Sequence, residues 1–126
     1  MDRVSFTMEF LFRASPTIIY KFLTTPDCLI RWFCDDCNVV DGRFTFEWDG
    51  EEEVAVVLED IENEQLKLEW EEFEGEEEFL DFQMSRSEVT GETILEITAF
   101  CDSDEVEQEK QFWATQMEGL RRATGG

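Results

Sequence analysis

Apolar residues fall on alternate positions through much of this chain and at intervals of three and four near its end. Val4, Phe6, Met8, Phe10 and Phe12 alternate with Ser5, Thr7 and Glu9, the pattern of a strand with one buried face. Ser15 and Pro16 then supply an N-cap and a first helical residue, and Ile18, Ile19, Phe22 and Leu23 form a short apolar helix face. Thr25-Pro26-Asp27 repeats that start signal for a second short helix, running through Cys28, Leu29 and Ile30 to Trp32 and Phe33. From Cys37 the period is two. Cys37 to Val40 is one strand and Asp41-Gly42 a turn; Phe44, Phe46 and Trp48 then alternate with Arg43, Thr45 and Glu47 up to the hairpin signal Asp49-Gly50. Val54 to Leu58, Leu66 to Trp70, Leu80 to Met84 and Leu95 to Ala99 continue the series, with Glu71 to Glu78 as an acidic hairpin tip.

The stretch from Ser103 to Ala123 is the one long helix. Val106, Lys110, Trp113, Met117 and Leu120 recur at helical spacing, with Phe112 and Gln116 flanking the seam. Asp102 and Glu105 have the spacing of a capping box, Arg121 and Arg122 suit the negative end of the helix dipole, and Gly125-Gly126 stop the helix. Strand, two short helices, six strands in antiparallel hairpins and a long helix packed on their sheet predict one α+β domain over residues 1–126, in the order β-α-α-β6-α.

Composition narrows the partners. Twelve Phe and four Trp give the chain enough apolar surface to fold, and its length suffices to bury roughly two-thirds of the unfolded surface. Lys and Arg number 10 against 32 Asp and Glu, a net charge of -22, which repels phosphate backbones. Nucleic acid and anionic membrane are therefore excluded as expected partners, and a basic protein surface is favoured over either. The segment MDRVSFTMEF has no basic region followed by a long apolar run, so no signal peptide is expected, and no stretch has the apolar length to span a membrane. Four cysteines without a framework spacing point to reduced thiols in a cytoplasm.

Several segments resemble one family. Ala14-Ser15-Pro16 opens the first helix, and Leu29-Ile30-Arg31-Trp32-Phe33 is similar to a "leucine, two residues, tryptophan, phenylalanine" segment. Asp41 to Phe46 resembles a glycine-led strand, Leu58-Glu59-Asp60-Ile61 to Leu66 a following hairpin, and Gly119-Leu120 the end of a last helix. In this order and over nearly the whole chain they resemble the START-like (SRPBCC) superfamily, in the branch named for activators of the heat-shock-chaperone ATPase. The resemblance implies a helix-grip fold: a curved antiparallel sheet around the C-terminal helix, with a pocket between them. Its members include lipid carriers, polyketide cyclases and chaperone co-factors, so the fold alone does not choose the function.

The expected pocket wall follows from the alternation. Phe44, Phe46 and Trp48, then Leu68 and Trp70, then Phe82 and Met84, then Leu95 and Ile97 share one sheet face opposite Trp113, Met117 and Leu120. These residues either line a cavity for a small apolar, lipid-like ligand or fill the space themselves as packed core. Catalysis is not expected. The chain has no His, and on this register Glu47, Glu69, Asp81 and Glu96 point away from the helix toward water. Cys34-Asp35-Asp36-Cys37 is a C-x-x-C without the further ligands a closed zinc site needs, so no metal and no cofactor are expected. The acidic runs at Glu51 to Glu53 and Glu71 to Glu78 would suit a basic protein partner or simply solvate two hairpin tips. Ala55, Val57, Phe79, Ile94 and Phe100, read as the opposite sheet face, leave monomer and homodimer both open.

Overall fold

The alternating segments become seven strands in the computed structural model, which describes residues 2–126. They are β1 (Arg3–Phe12), β2 (Asp36–Val40), β3 (Arg43–Trp48), β4 (Glu51–Ile61), β5 (Gln65–Trp70), β6 (Leu80–Arg86) and β7 (Thr93–Asp102). Helices α1 (Pro16–Thr24) and α2 (Pro26–Leu29) follow β1, and α3 (Val106–Thr124) closes the chain. One curved antiparallel sheet holds every strand in the order β1-β7-β6-β5-β4-β3-β2. Six strands run as a meander, and β1 is brought round to pair with β7 from Arg3↔Asp102 to Phe12↔Thr93.

Turn chemistry sets the register. Asp41 and Gly42 have φ of 50° and 75°, and Asp49 and Gly50 have 50° and 82°, so each pair supplies the two left-handed residues of a tight two-residue hairpin. Trp48 is thereby fixed opposite Glu51, Phe46 opposite Glu53 and Phe44 opposite Ala55. β4 is longer than its apolar centre predicts, because its acidic ends pair with β3 at one end and β5 at the other. A register shift between Val57 and Glu59 marks a bulge in that strand. Ala55, read as outward, is fully buried, and Val57 packs against the core; both belong to the inner face. Asp81 does lie on the outer face, yet only 6% of it is exposed. Gln65 and Gln83 each donate an amide N–H to its carboxylate at 2.9 and 2.8 Å, which satisfies the charge under cover.

The helices follow their sequence signals with two differences. Ser15 caps α1 by accepting from the Ile18 N–H at 3.3 Å, with Pro16 in the first turn. α2 spans one turn only, and the chain continues as turns through Trp32 and Phe33. That segment is held by polar contacts: the Trp32 indole donates to the Phe22 carbonyl, the Trp48 indole to the Phe33 carbonyl, and the Gln116 amide to both Trp32 and Phe33 carbonyls. The capping box expected at α3 is absent. Glu105 is the N-cap without a side-chain hydrogen bond, and Asp102 belongs to β7, where it meets Arg3. Gly125, left-handed at φ 88°, ends α3 as expected.

Trp113, Met117 and Leu120 of α3 are buried against the inner face of the sheet. At the other end of the grip, the Tyr20 hydroxyl of α1 donates to the Asp60 carboxylate of β4. Burial, this hydrogen bond and the nearby negative charge push Tyr20 from its ordinary 10.0 up to about 12. A pKa raised by folding means the neutral phenol is favoured in the folded state. This stabilisation is therefore fully present below pH 10 and is lost as pH rises through about 12. Because Tyr20 is the sole tyrosine, titration of phenolate absorbance reads it directly. The signal should appear about two units above free tyrosine, and a midpoint near the ordinary value would break the α1–β4 contact.

Candidate functional site

The sheet is uneven at one end. Leu68 of β5 pairs with Leu80, the first residue of β6, while β5 runs on to Trp70 and β7 to Asp102. β6 thus starts late, leaving a notch between its neighbours. Residues 71–79, which include a short 3-10 turn at Glu71–Phe73, cross the notch. Arg3 clamps this loop. Its Nε and Nη2 donate to the two carboxylate oxygens of Glu78 at 3.0 and 2.7 Å, its Nη1 donates to Asp102 at 3.2 Å, and its guanidinium lies 4.5 Å from the Phe73 ring centre. Bidentate pairing and ring stacking together fix direction as well as distance.

Between the notch and the first half of α3 lies a cleft of about 390 Å³. Its walls are aromatic: Phe33, Trp48, Trp70, Phe73, Phe112 and Trp113, with Phe79 and Phe100 at the loop side. Phe33 organises one wall, with its ring stacked 5.9 Å from Trp113 and edge-on 5.2 Å from Trp48. Phe112 sits edge-on to Trp113 at 5.5 Å and is 44% exposed, so a large ring stands open at the entrance.

The predicted wall residues divide into two groups. Trp48, Trp70 and Trp113 line the cleft. Phe44, Phe46, Leu68, Phe82 and Met84 lie instead in the buried core, together with Leu95, Ile97, Met117 and Leu120. Phe46 alone meets Phe33, Phe44, Trp48 and Trp70 rings within 5.8 Å, and such contacts fill the deep part of the grip. A packed core deep in the grip and an open cleft at its end thus coexist at different depths.

Two carboxylates in the wall escaped the sequence reading. Glu53 is on the inner face because Phe46 is, and it stands exposed at the rim. Glu109 lies one turn before Trp113 on α3 and is half-buried. Loss of hydration raises the carboxyl pKa of both. Glu53 is raised further by Glu72 and Glu51, whereas Arg3 offsets part of the rise at Glu109. A two-residue turn at Asp49-Gly50 forces Glu53 inward, and the i to i+4 spacing to Trp113 places Glu109, so both positions were available to pattern reasoning.

The thiols form no such site. Burial pushes Cys34 up to about 12, with Cys37 adding to the rise, and Cys37 itself is raised by burial. All four cysteines are free, and three are buried. Among the described residues, Asp102, Asp104 and Glu105 bring carboxylates within 4.8 Å of one another. Asp102 is already engaged by Arg3, so this is an acidic turn facing water.

The geometry defines a helix-grip protein with an aromatic cleft at the open end of its sheet. The chain belongs to the START-like superfamily, whose domain profile matches residues 1–126. It is 31% identical to a Bacteroides fragilis protein solved in solution, covering 97% of this chain and 91% of that one, with a TM-score of 0.70. The fold is also that of the Aha1 dimer from Colwellia psychrerythraea (TM-score 0.82, 23% identity, 96% of each chain). An AHSA1-like protein from Aeromonas hydrophila shares it as well (TM-score 0.75, 17% identity, 95% and 91% covered). No curated protein matches the chain in sequence. No helix among the described residues is long and apolar enough to cross a membrane.

The Arg3 clamp can be tested by cleavage. Residues 71–78 hold six glutamates, of which Glu71, Glu72, Glu74, Glu76 and Glu77 are exposed. An Arg3→Gln protein should be cut in this loop by a Glu-specific endoprotease at least about threefold faster than the parent, since loop opening exposes the peptide bonds. Equal rates would show that the loop is held by its own packing.

Proposed function

We propose that this protein binds a small apolar ligand in the cleft between residues 71–79, the ends of β3 and β5, and the first half of α3, without catalysing its conversion. The observation that carries the reading is the half-open aromatic wall. A soluble chain this acidic gains nothing in solubility from leaving Phe112 exposed beside Trp113, whereas a ligand that covers the ring recovers its apolar surface. The volume is at the lower end of small-molecule sites, which run from roughly 300 to 1,000 Å³. The lining residues carry no hydroxyl, thiol, amine or imidazole, which leaves the carboxylates of Glu53, Glu78 and Glu109 as the sole basic or nucleophilic groups there. The four free cysteines fit a reducing compartment such as the cytoplasm.

Native mass spectrometry on the protein purified from its own cells is the direct experiment. An organic mass lost on denaturation is expected, and it should be recovered at much lower occupancy from Phe112→Ala and Trp70→Ala proteins. Full occupancy in both variants would move the binding site elsewhere, and a bare mass from the parent protein would count against a carrier.

A second reading rests on the exposed glutamates of the 71–78 loop, among which Glu71 pairs with Arg43 and Glu78 with Arg3. The remainder offer unneutralised charge beside an exposed aromatic ring, a surface suited to a basic protein partner. The dimer formed by the Colwellia protein makes a second copy of this chain another candidate partner. Capture of a basic partner should weaken by an order of magnitude or more between about 0.05 and 0.5 M salt. Salt-independent capture would remove the loop charge from the interaction.

A further inference from the structure

We infer that the cleft selects an organic cation: a compact apolar body, aryl or alkyl, carrying an ammonium group. This rests on the ligand-binding reading above and names the chemical class of its ligand.

The inference comes from the balance of charge in the wall. Four charged side chains line the cleft: Arg3, Glu53, Glu78 and Glu109. The single positive one is already spent, because Arg3 holds Glu78 through two hydrogen bonds and Asp102 through a third. An anionic headgroup, such as that of a fatty acid, would find no unpaired cation among the lining side chains and would meet Glu53 and Glu109. Neither of these glutamates takes part in an ion pair or a side-chain hydrogen bond among the described residues. Both stand where neighbouring rings strip part of their hydration, and Glu53 is in addition repelled by Glu72 and Glu51. A ligand cation relieves the desolvation and the repulsion together. The rings add to this, since the faces of Trp and Phe attract an ammonium group that has shed water. The fold already uses that chemistry nearby: Arg3 lies over Phe73, and Lys67 has its Nζ 4.2 Å from the Phe79 ring centre. The net charge of -22 supplies a long-range field of the same sign, which draws cations toward the surface and raises their association rate.

The apolar body and the headgroup separate experimentally. Phenylbutylammonium, phenylbutanol and phenylbutanoate share one body and differ in charge. Quenching of tryptophan fluorescence reports their binding, because Trp48, Trp70 and Trp113 line the cleft. The ammonium compound should bind at least about tenfold more tightly than the alcohol, and the carboxylate more weakly than either. Glu109→Gln should remove most of that preference while leaving the affinity for the alcohol within about twofold. Glu53→Gln, at the exposed rim, gives a second variant that does not disturb the helix. Equal binding of the three compounds, or an unchanged preference in both variants, overturns the cation inference and leaves the apolar cleft standing. Tighter binding of the carboxylate overturns it outright. Failure of all three to bind removes the cleft as a small-molecule site and the cation inference with it.

Discussion

The contact on which the structure depends is the seam of α3 against the inner face of the curved sheet. Trp113, Met117 and Leu120 are buried there, and the rows they face come from strands spread across the sheet. Neither element can bury its apolar side without the other, since a sheet with one apolar face and an amphipathic helix each need a cover. The turn after α2 locks the arrangement from the side. Gln116 of α3 donates to the Trp32 and Phe33 carbonyls, and Phe33 accepts again from Trp48 of β3. Helix, turn and strand therefore share one polar knot next to the aromatic cluster. Phe33 belongs to both, which makes it the hinge between stability and site.

Depth decides what the aromatic residues do. In the middle of the grip, Phe46 has ring neighbours on several sides and no space remains. At the end where β6 starts late, Trp48 and Trp70 lose part of their cover and form a wall with the buried Trp113. The same residue types thus serve as core or as surface according to how far the strands beside them extend. The late start of β6 leaves room for a loop that crosses the notch, and the Arg3 clamp gives that loop a fixed position over the rings.

Much of the architecture was legible in the sequence, because the strands alternate cleanly and two Asp-Gly pairs specify tight turns of known twist. Ser15-Pro16 and Gly125 marked helix ends that the structure reproduces. The ends of β4 were obscured because acidic residues read as loop, although pairing with β3 and β5 keeps them in the sheet. Asp102 looked like a helix cap, but its strand pairing and its ion pair with Arg3 claim it first. Of the twelve residues expected around a pocket, three reach the cleft, since alternation reports which face a side chain occupies and says nothing of how far neighbouring strands run. Glu53 and Glu109 are hard to find for a related reason: charge reads as a sign of solvent, although register and helical spacing both point them inward.

The pairing of β1 with β7 also bears on how this chain comes to be folded at all. Arg3 lies opposite Asp102, and beyond the strand the Arg13 N–H donates to the Gly126 carbonyl at 2.8 Å, so the first and last parts of the chain hold each other. During synthesis the apolar row of β1, including Phe6 and Phe12, emerges with its partner strand about ninety residues away and still unmade. The sheet cannot be closed, nor α3 seated, until β7 and α3 have themselves left the ribosome. For that interval an aromatic strand is a sticky edge in search of a mate. The acidic residues scattered between β1 and β7 keep the growing chain strongly self-repelling, which counters association between neighbouring nascent copies.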